Sequence, residues 1–236
     1  MVIGVIGGDG FVGSNIVKSL KKLGHIVYSI NRKDYNNFIG FEFDFLINAN
    51  SNSKKYLAEN DPNYDFDASV KSVFNSIFEF KFKHYILISS IDALVCDSIY
   101  GANKYLAESI LYSYSSIKSF KYNILECASI IGKDAKKGIV YDILNNNKLR
   151  LSAKSSIYVI TIDEIINRII KIISKNNCDI YNHLWSKNTI TVEKIGKILN
   201  KRLQYINNPN EYIYPKLGDI GTNKTSEYYI KRMRIK

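Results

Sequence analysis

Val5-Ile6-Gly7-Gly8-Asp9-Gly10-Phe11-Val12-Gly13-Ser14 is the stretch on which the fold turns. Gly7, Gly10 and Gly13 stand at G-x-x-G-x-x-G spacing between two differently patterned runs. Upstream, Val2–Ile6 is a short continuous apolar segment, the pattern of a strand buried on both faces. Downstream, Phe11, Val12, Ile16, Val17, Leu20 and Leu23 recur at helical spacing until Gly24 stops the run. His25–Ile30 (HIVYSI) is a second apolar strand, so about 30 residues spell β-α-β, the size of one crossover unit. In such a unit Gly7 permits a tight turn, Gly10 lets backbone approach a pyrophosphate, and Gly13 lets the helix pack closely on the sheet. The helix N-terminus adds unpaired N–H groups and a partial positive charge suited to phosphate.

Outward from this unit, strand patterns at Asp44–Ala49, Tyr85–Ile88 and Tyr122–Leu125 alternate with helical patterns at Phe66–Phe80 and Tyr100–Tyr112. Strands separated by helices predict an α/β fold, a Rossmann-type doubly wound parallel sheet. Later come a short helix at Gly138–Leu144, a strand at Ile157–Ile160, a helix at Thr161–Ser174, a strand at Asp179–Leu184 and a helix at Thr191–Asn200. Thr161 with Glu164 forms a capping box at the start of its helix.

The strand after the glycine helix ends Ser29-Ile30-Asn31-Arg32-Lys33, with no acid before Asp34. An acid at that strand end accepts the adenosine ribose hydroxyls in NAD sites. An arginine instead suits a 2′-phosphate, by charge and by bidentate hydrogen bonding. Asn31 and Arg32 therefore point to NADP ahead of NAD; solvated loop charges are the plain alternative.

Lysine and arginine number 33 against 22 aspartates and glutamates, a net charge of +11. Nucleic acid, an anionic membrane surface and small phosphorylated ligands all suit such a charge. The chain is also heavy in Ile, Lys, Asn and Tyr throughout, which supplies a compositional reason for the lysines. The last 36 residues hold eight Lys/Arg and three Asp/Glu, nearly half of the excess, where coding bias or a disordered end suffices. Arg32, Lys33 and Lys104 are the charges placed for an anionic dinucleotide, and neither a nucleic acid nor a membrane partner is expected. Cys96, Cys127 and Cys178 are odd in number and in no C-x-x-C pattern, which fits a reducing cytoplasm and small buried side chains, with no metal centre. The opening residues lack the basic region of a signal peptide, and no apolar run approaches the ~18 residues of a membrane span. His25, His84 and His183 read as structural or exposed.

The second constellation is Ser89-Ser90 at the end of the YILI strand, followed by Tyr100-Gly101-Ala102-Asn103-Lys104. Tyr100 and Lys104 are i and i+4 on one expected helix and share a face. A phenol with a pKa near ~10 is a poor base at neutral pH, and a nearby ammonium favours its phenolate. Such a tyrosine exchanges a proton with a sugar hydroxyl or carbonyl, and a serine hydrogen-bonds the same oxygen as charge develops on it. No G-x-S-x-G elbow or H-E-x-x-H motif competes.

VIGGDGFVGSN at 5–15, FDFLINAN at 43–50, ILISSIDAL at 86–94 and YGANKYLAE at 100–108 together resemble the short-chain dehydrogenase/reductase superfamily, in its extended or atypical branch, the NAD-dependent epimerase/dehydratase family. The resemblance covers most of residues 1–200 and leaves the tail unmatched. It implies that Tyr100 is the general acid/base, that Lys104 binds the nicotinamide ribose and lowers the tyrosine pKa, and that Ser90, with Ser89 as rival, is the serine. It further implies a phosphate loop of Gly7, Gly10, Phe11, Val12 and Gly13, and adenosine near the Ala49 and Asn50 backbone. Lys54 and Lys55 lie just beyond, either toward a substrate phosphate or in a solvated loop. Residues 1–130 with 155–184 become the dinucleotide-binding domain, and 131–154 with 185–236 a small, truncated substrate-binding subdomain with a basic tail. The family often dimerises through two long helices, here Phe66–Phe80 and Tyr100–Tyr112.

Two departures stand out. Strand Asp44–Ala49 follows Arg32 by only a dozen residues, where the family fits a further strand and helix; Tyr35–Gly40 reads as a vestige of that strand. Ile91-Asp92-Ala93 lacks the Asp-Glu pair of the family's dehydratases. The expected activity is NADP-dependent reduction of a nucleotide-linked 4-keto sugar, with a tightly NAD-bound epimerase, or a dinucleotide-binding scaffold without catalysis, as alternatives.

Overall fold

The computed structural model describes residues 1–52, 54–175, 180–218 and 220–233. Cys178 and Asp179, the expected start of the late strand, lie outside them. In chain order the first elements are β1 (Val2–Ile6), α1 (Phe11–Lys22), β2 (Ile26–Ile30), a 3-10 turn at Tyr35–Phe38, β3 (Glu42–Asn48), α2 (Lys55–Asn60) and α3 (Pro62–Phe66). A π-helical turn, Asp67–Lys71, joins α3 to α4 (Ser72–Glu79), so the expected helix at Phe66–Phe80 is one longer run with a bulge inside it. There follow β4 (Lys81–Ser90), α5 (Asp92–Val95), α6 (Ile99–Lys118), β5 (Lys121–Cys127), β6 (Ser129–Ile131), α7 (Ile139–Leu144), β7 (Lys148–Leu151), β8 (Ser156–Ile157) and β9 (Val159–Thr161). The last are α8 (Ile162–Lys175), β10 (Tyr181–Leu184), β11 (Ile190–Thr191), α9 (Val192–Leu199), β12 (Gln204–Asn210) and α10 (Ser226–Lys231).

The chain forms two compact units: Met1–Glu126 with Ile166–Asn182, and Cys127–Ile165 with His183–Lys236. A six-stranded parallel sheet of order β10-β5-β4-β3-β1-β2 organises the first. β1 pairs with β2 on one side and with β3 on the other, so the glycine loop leaves the sheet where the strand order reverses, the crevice in which open α/β sheets bind ligands.

β2 is the sheet edge. The expected vestigial strand at Tyr35–Gly40 is instead the 3-10 turn, and rings do the covering. Tyr28 meets Phe38 and Phe41 edge-on at 5.6 and 5.2 Å, and Tyr35 meets Phe80 at 4.9 Å. Aromatic side chains bury 150–250 Å² each, on the order of what a short strand offers, so four or five of them close this face without another crossover.

In the glycine loop, Gly7 adopts φ +74°, a left-handed turn that a side chain resists. Its N–H donates to the Ile30 carbonyl at 2.8 Å, tying the loop to β2. Gly13 sits in the first turns of α1 with no room above it. A Cβ there would lie 2.2 Å from the Gly7 carbonyl oxygen and 2.8 Å from Gly8 Cα, both backbone atoms that cannot swing aside.

Helix α6 docks on the sheet with polar groups as well as apolar ones. Ala107 and Leu111 enter the core beside Leu87 and Ile124. On the same face Ser89 Oγ donates to the buried carboxyl of Glu108, and Glu126 of β5 is buried nearby. Burial, with the Glu126 charge adding to it against the Ser89 hydrogen bond, pushes Glu108 up to about 8. Further along, Asn103 Nδ2 donates to the fully buried Asp65 at 2.7 Å.

The second unit contains three two-stranded sheets, β11-β8, β12-β7 and β6-β9. Thr191 accepts from the Lys194 N–H at 3.2 Å as the N-cap of α9, as its sequence position suggests. The basic tail is not a disordered end among the described residues. Ser226, Tyr229 and Ile230 of α10 are buried, Lys231 is exposed, Glu227 pairs with Lys194, and the Ser226 hydroxyl bonds Ser186 at 2.7 Å. Cys127 is buried as expected, but Cys96 is exposed at φ 52°, closing α5. No helix among the described residues is long and apolar enough to cross a membrane.

Replacing Gly13 with alanine should lower the thermal midpoint by an amount equivalent to ~1–3 kcal/mol, the usual penalty of overpacking, as read by calorimetry. A midpoint equal to wild type would refute the close contact. Glu108 gives a pH signature. The folded protein keeps a proton that an ordinary unfolded glutamate releases near pH ~4.3, so stability is greatest below that value and declines as pH rises toward about 8. Melting curves across this window should fall by at most ~1.4 kcal/mol per pH unit from this group, and Glu108→Gln should flatten the slope.

Candidate active site

The glycine loop opens onto a cleft of about 610 Å³ lined by Gly7, Gly10, Asn31, Arg32 and Asn50 among others. Gly10 is the N-cap of α1, with no side-chain cap and no acid in the first turn. The N–H groups of Phe11, Val12 and Gly13 therefore begin the helix with the orphan donors that phosphate takes up. Ala49 continues β3 and donates its N–H to the Ile6 carbonyl at 2.9 Å. Asn50 Nδ2 reaches the Ala68 carbonyl and Ser72 Oγ, both at 3.1 Å, and so ties the strand end to the π turn and α4.

The acids near the end of β2 are engaged. Asp34 accepts the Asn31 N–H at 2.7 Å and the Asn31 side-chain amide at 3.0 Å, which shapes the turn carrying Arg32. Asp9 accepts the Ser29 hydroxyl at 2.9 Å. Arg32 is exposed at the cleft. Tyr35, Asp67, Lys71 and Asn75 also line it. Sequence reading missed these four, because two of them enter only through the π turn, an irregularity with no periodic signal. π turns of this kind occur frequently at functional sites.

At the C-terminal end of β4 the second constellation assembles. Ser90 and Ser51 are the two serines beside the Tyr100 hydroxyl. Of the two candidate serines, the fold brings Ser90 to Tyr100 and turns Ser89 to Glu108. Alternation along a strand is the reason, since successive side chains point to opposite faces. Ser90 Oγ donates to Asp92 Oδ2 at 3.0 Å and accepts the Asp92 N–H at 3.2 Å. Asp92 pairs with Lys55 at 2.7 Å, and Asp97 lies 3.5 Å from the same ammonium, which stays partly exposed.

Lys104 is 5% exposed, its Nζ 5.5 Å from the centre of the Tyr100 ring and 2.5 Å from Ser51 Oγ. The expected lowering of the phenol pKa by this ammonium is not what the geometry produces. Burial raises the Tyr100 pKa above the ordinary tyrosine value, the Asp92 and Asp65 charges raise it further, and the hydrogen bonds from Ser90 and Ser51 oppose them. The site thus holds Tyr100 as a neutral acid. Asp65 in turn is fixed by the amides of Asn52 at 2.8 Å and Asn103 at 2.7 Å. Ser51, Asn52 and Asp65 went unread in the sequence because their partners lie far along the chain.

No family model and no curated protein matches the chain. Solved structures do. A UDP-galactose 4-epimerase superposes with TM-score 0.77 at 17% identity over 99% of this chain and 97% of that one. A UDP-N-acetylglucosamine 4-epimerase from Methanobrevibacter ruminantium M1, in complex with UDP-N-acetylmuramic acid, gives 0.74 at 14% identity over 98% and 95%. RMD from Pseudomonas aeruginosa, complexed with NADPH, gives 0.72 at 12% identity over 99% and 93%. The chain therefore has the fold of the UDP-sugar 4-epimerases, the Rossmann-type fold that its glycine loop and strand order specify.

Proposed function

We propose that the protein is an NAD(P)-dependent oxidoreductase acting on a nucleotide-linked sugar, and that it reduces a 4-keto sugar with NADPH. One observation carries the reading: the Ser90–Tyr100–Lys104 cluster lies in the same unit as the glycine-loop cleft. The similar structures support the substrate class, since several act on UDP-sugars and one holds NADPH.

The cleft suits a dinucleotide. Bare Gly10, the uncapped start of α1 and about 610 Å³ of space accept a pyrophosphate with its adenosine. Arg32 offers a fork for a 2′-phosphate where Asp34, held by Asn31, offers no acid to a ribose. When bound, the nicotinamide group supplies the hydride that the carbonyl carbon receives. The chain does the rest. Tyr100, kept protonated by burial, gives its proton to the carbonyl oxygen as negative charge gathers there. Ser90, by turning its hydrogen from Asp92, holds that oxygen in line with Tyr100. Lys104, buried beside the ring, places a positive charge against the phenolate left behind.

An epimerase with tightly held NAD is the second reading, favoured by the 4-epimerases among the similar structures. Mass spectrometry of the nucleotide that co-purifies decides between them: retained NAD favours the epimerase, and exchangeable NADPH the reductase. Tyr100→Phe should cut turnover ~10²–10⁴-fold with NADPH binding intact. Arg32→Ala should weaken NADPH ~10-fold or more and leave NADH unchanged. Equal weakening of both would rule out the 2′-phosphate contact.

A further inference from the structure

We propose that the open edge of β2 is an assembly surface, on which a second copy of this chain adds its own β2 antiparallel about a two-fold axis at Tyr28. The surface is separate from the chemistry proposed above and does not depend on it.

β2 ends the six-stranded sheet and pairs with β1 alone. The Ile26 N–H donates to the Met1 carbonyl, and the Ile30 carbonyl accepts the Gly7 N–H. Residues 26, 28 and 30 therefore turn their backbone groups toward β1, and alternation turns those of Val27 and Ser29 outward. Among the described residues no turn or loop bonds the backbone of either. Such an edge is a template for another strand unless charge, proline, a bulge or a cover blunts it. β2 reads Ile-Val-Tyr-Ser-Ile, with no charge and no proline, and its register with β1 runs unbroken. The opposite edge, β10, is shorter and carries Asn182 and His183.

Parity selects the occupant and its register. Edge bonds form only where an outward residue meets an outward residue. Antiparallel pairing about Tyr28 sets Val27 opposite Ser29 of the second copy, and Ser29 opposite Val27 of that copy. Both are hydrogen-bonded pairs, each exchanging two N–H···O bonds. Moving the axis by one residue either way sets Ser29 opposite His25 or Val27 opposite Asn31. The N–H groups of His25 and Asn31 are already given to the Leu20 carbonyl and to Asp34, so the shifted registers lose bonds.

The axis stands perpendicular to the sheet, so the face that carries Tyr28 meets its own copy, as an isologous contact requires. On that face Tyr28 packs edge-on against Phe38 and Phe41, and those two rings lie 6.0 Å apart. Large apolar groups beside them remain in water: Ile26 is 58% exposed, Ile39 51% and Phe41 38%. Ile26 comes opposite Ile30 of the second copy, an apolar cross-strand pair. Leu23, just ahead of the strand, is also exposed. These side chains and the strand edge offer on the order of 500 Å² per copy, about 1,000 Å² in the pair, the threshold of a specific interface. Charge agrees with the register. His25 comes opposite Asn31 and Gly24 opposite Arg32, so no like charges meet. Nothing lies within 4 Å of where a Gly24 Cβ would stand, which leaves room for the arginine.

The test is light scattering of the full chain over a dilution series, with Ile26→Lys, Ile39→Lys and, on the exposed face of α6, Ile117→Lys. The wild type should be a dimer that dissociates on dilution. Ile26→Lys sets an ammonium into the apolar pair and should raise the dissociation constant ~100-fold or more, and Ile39→Lys ~10-fold. All three variants should keep the wild-type circular dichroism, since each changes an exposed position, and Ile117→Lys should keep the wild-type dissociation constant. Amide hydrogen exchange of the wild type reads the edge itself: Val27 and Ser29 should be protected in concentrated protein and exchange faster on dilution, while Val5 of β1 should not respond. A wild type that is monomeric at every concentration leaves the edge to some other chain and overturns the proposal. A dimer that Ile26→Lys leaves intact overturns it, and one that Ile117→Lys dissolves places the contact on the helices instead. Assembly that grows without limit also overturns it, because a two-fold contact closes at two. Should the lysine variants misfold, the wild-type exchange decides, and Val27 and Ser29 amides indifferent to concentration refute the pairing.

Discussion

Backbone against backbone at the glycine loop is the contact on which the first unit depends. Gly13 rides on the Gly7 carbonyl, and Gly7 is pinned to Ile30 of β2. One turn thereby fixes the end of β1, the start of α1 and the separation of α1 from the sheet. Everything that faces the cleft is referenced to that turn. β3 follows because Ala49 bonds the carbonyl of Ile6, the last residue of β1. The strand end at Asn50–Asn52 then carries register from the loop to Ser51 and onward to Tyr100. A methyl group at one position would move all of it, since no flexible side chain stands between the backbones to absorb the strain.

A second constraint is electrostatic. Asp65, Lys104 and Glu108 are all buried, each an expensive group to take from water. The fold compensates locally: Asp65 receives two amides, Lys104 has Ser51, and Glu108 holds a proton and the Ser89 bond. Partly satisfied buried networks destabilise, whereas fully satisfied ones specify a single arrangement. Here the arrangement specified places Tyr100, Ser90 and Lys104 beside one another. The same burial sets the acid–base character of Tyr100. A phenol kept neutral is a proton donor in waiting, which is what reduction of a carbonyl asks of it.

The edge of the sheet shows how a family pattern can be shortened. Where a further strand and helix are expected beyond β2, the 3-10 turn delivers Phe38 to Tyr28 of β2 and to Phe41, and Tyr35 to Phe80 at the end of α4. This rearrangement was invisible in advance, because an aromatic at residue 35 or 38 reads equally well as strand or turn. The helix at Phe66–Phe80 was legible through Val70, Val73, Phe74, Ile77 and Phe78, but its π turn was not. Bulges leave the apolar spacing nearly unchanged while swinging Asp67 and Lys71 toward the cleft.

The amino-acid sequence by itself determined what is local or periodic. The glycine spacing, the alternation of strands and helices, and the i, i+4 placement of Tyr100 and Lys104 depend only on neighbouring residues and on the regular geometry of the backbone. Tertiary structure alone decided which serine faces Tyr100, that Ser51 meets Lys104, and that the phenol pKa rises rather than falls. It alone showed that a tail with a net excess of lysine and arginine carries a buried Tyr229 and Ile230. Each of these rests on groups tens of residues apart in the chain. Hydrogen bonds and burial act through space, and a linear pattern holds no record of the distances that set them.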